Sequence, residues 1–305
     1  MPRLSVQAPA AIVMVRPHHF TVNAQTAADN AFQSARPADR DAAYAELTRA
    51  AETLRQHGVR VHLFEDEGRT TPDSVFPNNW FSTHAGGHVA IYPMKPENRR
   101  LERRQDVIDL LKRDYRVQDI IDYSGLEADG LFLEGTGAMV LDHIDRVAYA
   151  VESDRTSPIA LERFCTHFNY EPMAFAAADA TGLPVYHTNV LMCIGTAVAL
   201  VGLEMITDPA RRDEVRRRLE QSGRELVDLS HRQIAAFAGN AIELQGTRGR
   251  LLALSTTACD ALSDAQKARI ERDATLVPLD IPTLEMAGGS VRCTIAGIHL
   301  TPRRG

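Results

Sequence analysis

Five short stretches of this chain resemble one another: Pro77-Asn78-Asn79-Trp80, Gly135-Thr136-Gly137-Ala138-Met139, His187-Thr188-Asn189-Val190-Leu191, Gly239-Asn240-Ala241-Ile242 and Gly288-Gly289-Ser290-Val291. Each passes from a small or amide residue into an apolar run, as a chain does where a strand begins. With Asn79, Gly137, Asn189, Asn240 and Ser290 taken as equivalent, the spacings are 58, 52, 51 and 50 residues. A period that steady predicts a repeated supersecondary unit. Five such units would nearly fill the 305 residues and would close most naturally into a ring, with the junctions meeting at its axis. The competing explanation is coincidence among Gly- and Asn-rich turns, which open strands in many folds.

The segments between the junctions alternate in kind. Asp41 to His57 places Tyr44, Leu47, Ala51 and Leu54 at spacings of three and four, so one face is apolar, and Gly58 supplies a stop. Helices are also expected at Asn98 to Arg113, Pro158 to His167, Asp208 to Gln221 and Ser263 to Asp273. Strands are expected at Val59 to Phe64, Ala138 to Leu141, Arg146 to Val151, Arg224 to Leu229, Ala241 to Gln245 and Leu251 to Ser255. The class is therefore α/β. No linker or low-complexity segment interrupts the chain, which predicts a single domain over residues 1–305.

A 44% hydrophobic and 24% charged composition excludes a disordered or collagen-like chain. The formal net charge of −6 gives a nucleic-acid partner no broad electrostatic support. No apolar run approaches the roughly 18 residues that cross a bilayer, so no membrane association is expected. Ala8 to Val15 runs straight into Arg16-Pro17 without a cleavage pattern, and it is expected as a first strand rather than a signal peptide. Cys165, Cys193, Cys259 and Cys293 are too far apart for a C-x-x-C pair or a disulfide framework, and reduced thiols in the cytoplasm are expected. The histidines and cysteines lack a ligand spacing, so no metal or cofactor is expected. A homo-oligomer is left open.

Three residues stand where chemistry could be carried. Cys293 follows a flexible Gly288-Gly289-Ser290 loop beside Arg292, a setting that suits a thiolate nucleophile, although a cysteine is often just a small buried hydrophobe. His187 is expected at the end of an apolar strand, Leu183 to Tyr186, and is either a proton-transfer group or a core histidine with a satisfied hydrogen bond. Glu134 comes directly after Leu131-Phe132-Leu133; burial there requires a partner, and the alternative is a solvated strand-end acid.

Taken in order, Phe132-Leu133-Glu134-Gly135, His187-Thr188-Asn189 and Gly288 to Cys293 resemble the acid-glycine motif, the His-x-Asp motif and the nucleophile loop of the guanidino-group-modifying enzymes. These are the pentein-fold arginine deiminases, dimethylarginine dimethylaminohydrolases, amidinotransferases and their relatives. The resemblance spans nearly the whole chain. Pro72-Asp73-Ser74-Val75-Phe76 is similar to the substrate-binding segment of the dimethylarginine hydrolases, and Asp154-Arg155-Thr156 to the family's arginine that grips the substrate α-carboxylate. The resemblance implies a fivefold pseudosymmetric α/β propeller, in agreement with the repeat. It also implies Cys293 as nucleophile and His187 as acid and base. Glu134 would orient the imidazole or hold a ureido nitrogen, Asp73 would meet the α-ammonium and Arg155 the α-carboxylate.

The chain departs from that pattern in charge. Asn189 stands where guanidino-binding relatives place an acid, and Asn78-Asn79 replaces an acidic pair. A guanidinium is cationic and offers only donors, whereas a ureido group is neutral and adds a carbonyl acceptor; a carboxamide serves both halves of the latter. The sequence is thus closest to the citrulline-utilising (CtlX-like) hydrolases, which implies conversion of citrulline to ornithine, carbon dioxide and ammonia through a carbamoyl-cysteine. A small amino acid is the one partner expected. Two alternatives remain: hydrolysis of arginine or a methylarginine, with a carboxylate supplied from elsewhere in the fold, and a non-catalytic RNA-binding pentein, against which Cys293, His187 and Glu134 in an acidic chain argue.

Overall fold

The computed structural model describes residues 6–27, 30–34, 36 and 38–303, and within them fifteen strands form five three-stranded sheets. The first sheet joins β1 (Ala11–Pro17) and β2 (Arg60–Asp66) to β15 (Ala296–Ile298) from the far end of the chain. The next joins β3 (Phe81–His84), β4 (His88–Ile91) and β5 (Asp119–Asp122), and the third β6 (Met139–Asp142), β7 (Val147–Val151) and β8 (Glu171–Phe175). The fourth holds β9 (Met192–Ile194), β10 (Val198–Val201) and β11 (Glu225–Asp228), and the fifth β12 (Ile242–Gly246), β13 (Gly249–Ser255) and β14 (Ala274–Leu279). In every sheet the middle strand runs antiparallel to one neighbour and parallel to the other. A parallel pair cannot be closed by a tight turn, so each unit inserts helix between its middle and last strands.

The helix Arg40–Gln56 shows how the sequence builds that crossover. The Asp39 carboxylate accepts from the amides of Asp41 and Ala42, capping the first turn. Ala43, Leu47, Ala50, Ala51 and Leu54 form one buried face, and Gly58 leaves the helix with φ +87°, a conformation costly for any residue with a Cβ. The same face packs against Leu251, Ala253, Val277 and Leu279 of the fifth sheet. Likewise Val107, Ile108 and Leu111 of the helix Gln105–Asp114 pack with Val13, Ala296 and Ile298 of the first sheet. Crossover helices thus share apolar cores with neighbouring sheets, which locks adjacent units together. Residues of β3, β6, β9, β12 and β15 line one common cavity, so the first strands of the units surround an axis.

Several boundaries differ from expectation. The first strand starts at Ala11 rather than Ala8. The helix expected over Asn98 to Arg113 is broken into Glu97–Arg100 and Gln105–Asp114, because Arg99 turns inward to pair with Glu102 while Leu101 is pushed into solvent. Leu183 to Tyr186 is extended but forms no strand; it is held by single contacts, such as the Val185 amide on the Ala177 carbonyl. All four cysteines are free thiols. Among the described residues no helix is long and apolar enough to cross a membrane.

A buried ion pair ties the third unit to the fourth: Arg224 donates to both carboxylate oxygens of Asp142 at 2.6 and 2.8 Å. Removing one member leaves the other charged and unpaired in the interior, at a cost of about 3–5 kcal/mol. Arg224→Ala is therefore expected to lower the denaturant midpoint strongly in urea unfolding, and a midpoint within experimental error of the parent would remove this pair from the inter-unit contacts.

Candidate active site

The turns that precede the inner strands converge. Asn79 ends the turn Pro77–Asn79 ahead of β3, Gly137 lies in Gly135–Ala138 ahead of β6, Asn189 in Thr188–Val190 ahead of β9, and Asn240 just before β12. At the junction nearest the C-terminus, β15 begins only at Ala296, so the residue at the corresponding distance is Cys293 and not Ser290. Ser290 belongs instead to the loop that presents the thiol.

That loop is held from several sides. Ser290 Oγ donates to Glu285 Oε1 at 2.7 Å, Thr257 Oγ1 donates to Glu285 Oε2 at 2.8 Å, and Tyr186 Oη donates to the Gly288 carbonyl at 2.8 Å. Gly288 has φ +82°, and a Cβ there would lie 2.4 Å from the Asn30 side chain. The Cys293 sulfur accepts from Asn189 Nδ2 at 3.2 Å and from Asn240 Nδ2 at 3.3 Å. Two carboxamide N–H groups therefore fix its position and favour negative charge on the sulfur before attack.

His187 meets Glu134 through Nε2 and Oε2 at 2.8 Å. A Cβ on Gly137 would stand 2.8 Å from His187 Nδ1 and 3.0 Å from Asn79 Nδ2, so glycine lets both side chains lie against the backbone. Glu134 is fully buried, accepts from the Lys95 amide at 3.0 Å and lies 3.4 Å from Arg155 Nη1. Burial alone would push its pKa up, but Arg155, His187 and Arg99 together outweigh that and hold it well below the carboxylate range. For His187, burial wins over Glu134 and lowers the pKa, leaving a neutral imidazole at neutral pH.

A cavity of about 20 Å³ beside Cys293 is lined by Asp73, Asn79, Arg99, Arg155 and His187, with Phe76 and Tyr186 as apolar walls. Asp73 accepts from Asn23 Nδ2 at 2.8 Å and lies 3.7 Å from Arg99, while its Oδ1 has no hydrogen-bond partner; burial raises its pKa against the pull of Arg99. The Arg155 guanidinium lies over the Tyr186 ring, 4.9 Å from its centroid. Asn78 is adjacent but does not line the cavity; both its side-chain polar atoms are buried without partners. Thus Cys293, His187, Glu134, Asp73, Asn79, Arg155 and Asn189 come together, and Asn78 stands behind them.

Sequence reasoning missed Arg99, Glu102 and Asn240 as members of this cluster. Arg99 donates to Glu102 at 3.0 Å through both Nε and Nη2, lies 3.9 Å from Glu134, and is buried. Nothing in the charged run Glu97 to Asp106 distinguished these two from solvated helix residues. Asn240 carried a signal, since it occupies a repeat position. The other thiols lie outside the cluster, and burial pushes Cys165 and Cys193 up to about 12. Among the described residues no group of three or more His, Cys, Asp or Glu side chains is arranged to hold a metal ion.

Compared with known proteins, residues 16–300 match the family described as N,N dimethylarginine dimethylhydrolase, eukaryotic. No curated protein matches the sequence. Among solved structures, the N-terminal domain of ArgZ, an arginine dihydrolase of the ornithine-ammonia cycle in cyanobacteria, is similar with a TM-score of 0.74 at 16% identity, over 94% of this chain and 97% of that one. Against full-length ArgZ the match spans 40% of that chain. The dimethylarginine hydrolase of Pseudomonas aeruginosa, complexed with citrulline, is similar with a TM-score of 0.64 at 12% identity, over 95% of this chain and 99% of that one.

Two titrations follow from the His187–Glu134 contact. Glu134 is the main influence opposing burial at His187, so Glu134→Gln should move the imidazole midpoint still further below 6.5, read by ¹⁵N NMR of histidine-labelled protein. An upward shift would contradict the pairing. Both groups bind protons less readily folded than unfolded, so the stability they contribute falls for His187 as pH drops below 6.5 and for Glu134 below 4.5; the loss below 4.5 should be smaller in the Gln variant than in the parent.

Proposed function

This chain belongs to the N,N dimethylarginine dimethylhydrolase family, and from that premise we propose that it is a single-domain cysteine hydrolase of a ureido amino acid, converting citrulline to ornithine, carbon dioxide and ammonia. The observation that carries the reading is the neutrality of the groups on the nucleophile: Asn189 and Asn240 are the hydrogen-bond donors to Sγ, with Asn79 beside His187. The Oδ1 atoms of Asn79, Asn189 and Asn240 are buried without partners, so acceptors are available for ureido N–H groups. A guanidinium facing only carboxamides would give up its counter-charge.

In this mechanism the Cys293 thiol passes its proton to His187 as sulfur attacks the ureido carbon. His187 then gives that proton to the departing ornithine nitrogen as the C–N bond breaks, leaving a carbamoyl group on sulfur. Water, deprotonated by His187, attacks the carbamoyl carbon; the C–S bond breaks, the thiol is restored, and the released carbamate decomposes to carbon dioxide and ammonia. Glu134 holds the imidazole by its Nε2 and balances the positive charge that passes through it. Arg99 and Arg155 offer paired sites for the α-carboxylate, and the unpartnered Asp73 Oδ1 an acceptor for the α-ammonium. A cavity of about 20 Å³ has room for about one water, so an amino acid binds only as these walls move apart.

A second reading, hydrolysis of arginine, is favoured by charge balance. Three buried carboxylates, Asp73, Glu102 and Glu134, face two buried guanidiniums, Arg99 and Arg155, and a cationic substrate would offset the excess negative charge. Burial pushes Glu102 up to about 8 against the pull of Arg99, and uptake of a proton there would restore neutrality and suit citrulline. The similarity to an arginine dihydrolase keeps this reading in view.

Turnover of citrulline, arginine and methylarginines, with ornithine and ammonia quantified, decides between the two; citrulline should have the highest kcat/KM, and a higher value for arginine overturns the proposal. Cys293→Ser should lose turnover while its circular dichroism is unchanged. Asn189→Asp should strengthen competitive inhibition by arginine roughly tenfold or more, as a charge-assisted hydrogen bond replaces a neutral contact. Weaker inhibition would show that Asn189 does not select substrate charge.

A further inference from the structure

We infer that the cavity enclosed by the inner strands is a small-anion site built on Arg292, and that an anion held there lowers the reactivity of Cys293. This cavity has a volume of about 50 Å³ and is walled by all five first strands, through residues such as Thr83, Leu141, Cys193, Glu243 and Gly297. It shares no lining residue with the cavity beside Cys293, so the two are separate spaces on either side of the Arg292–Cys293 peptide.

Arg292 is the one lysine or arginine among the described residues that line it. Its guanidinium donates through Nη1 to the Ile295 carbonyl at 2.9 Å and has no ion pair among the described residues. A planar fork with five N–H donors and a full charge is poorly served by one carbonyl, and a charge-assisted contact is the stronger alternative. The remaining polar wall does not supply one. Glu243, the one carboxylate in it, turns Oε2 to the Thr196 amide at 2.9 Å and hydroxyl at 2.6 Å, and its Oε1 lies 3.5 Å from Arg250 Nε; burial raises its pKa. His143 and His299 stack with ring centroids 4.0 Å apart, and burial keeps both neutral. A few water-sized groups fit in this volume, which suits chloride or a compact oxyanion such as formate or bicarbonate and excludes a sugar acid.

Coupling to the thiol follows from sequence adjacency. The Arg292 charge favours negative charge on the neighbouring sulfur, and the Arg292 amide donates to the carbonyl of Asn240, whose side chain reaches Sγ. An anion on Arg292 cancels that field, so a thiolate costs more to form.

The test uses the full chain at constant ionic strength, with sodium chloride, formate or bicarbonate exchanged against sodium gluconate. Chloride binding is read by ³⁵Cl line broadening, and Cys293 reactivity by iodoacetamide alkylation quantified on its peptide, which depends on the thiol and not on the substrate hydrolysed. Saturable broadening, displaced by formate or bicarbonate, is expected. Saturating anion should slow alkylation roughly fivefold. Both effects should vanish in Arg292→Gln, while Arg292→Lys, which keeps the charge without the fork, should bind more weakly. Equal alkylation rates in chloride and gluconate overturn the inference. So does broadening that persists in Arg292→Gln or, should that variant not fold, is undiminished in Arg292→Lys.

Discussion

Strand β15 has three residues, and their antiparallel pairing with Ala11, Ile12 and Val13 joins the end of the described chain to its beginning. Cys293 sits just ahead of that strand, so where β15 lies decides where the thiol lies. Pairing of Ala296 with Val13 sets the register, and the apolar faces of both strands enter a core with Trp80, Phe81 and the helix Gln105–Asp114. A one-residue slip would turn those faces outward and carry the thiol away from its donors. Hydrogen bonds from Asn189 and Asn240 to Sγ span 104 and 53 residues of sequence, and no local propensity could bring such groups together.

Within that frame the repeated backbone position is used for different purposes. Asn79, Asn189 and Asn240 supply carboxamides, Gly137 supplies space for His187, and the junction ahead of β15 is longer and presents a thiol. Sharing one axis makes these side chains converge; differing in residue type makes the convergence reactive. The neutral donors reach the sulfur, while Asp73, Arg99 and Arg155 line the cavity beside it and Glu102 and Glu134 pair with those arginines from behind. Burying so many charges is favourable only because each has an opposite neighbour at short range. Under the proposed function, an amino acid entering the cavity would exchange its own ammonium and carboxylate for some of those contacts, which would select for a zwitterion.

The period near 50 residues determined the repeating α/β architecture, because a unit with one crossover helix needs about that length of chain. Tyr44, Leu47, Ala51 and Leu54 placed the first helix to within a residue, since burial of one face and a glycine stop are local signals. Glu134, His187 and Cys293 stood out beside glycines and apolar runs, but it was their resemblance, with Asn189, to the motifs of the guanidino-group-modifying enzymes that joined them into one expected site. Arg99 and Glu102 were not, because a charged pair in a charged segment reads as solvated surface, and only the fold shows that the chain turns there and draws the pair inside. For the same reason the break in the helix expected over Asn98 to Arg113 could not be foreseen. The sequence by itself determined the unit, its repetition and the residue types at each junction, all properties of short stretches. Tertiary structure alone decided which of them touch Sγ, which carboxylate holds His187 and which side of the axis Arg292 faces, because those outcomes depend on strand register and ring closure between segments far apart in the chain.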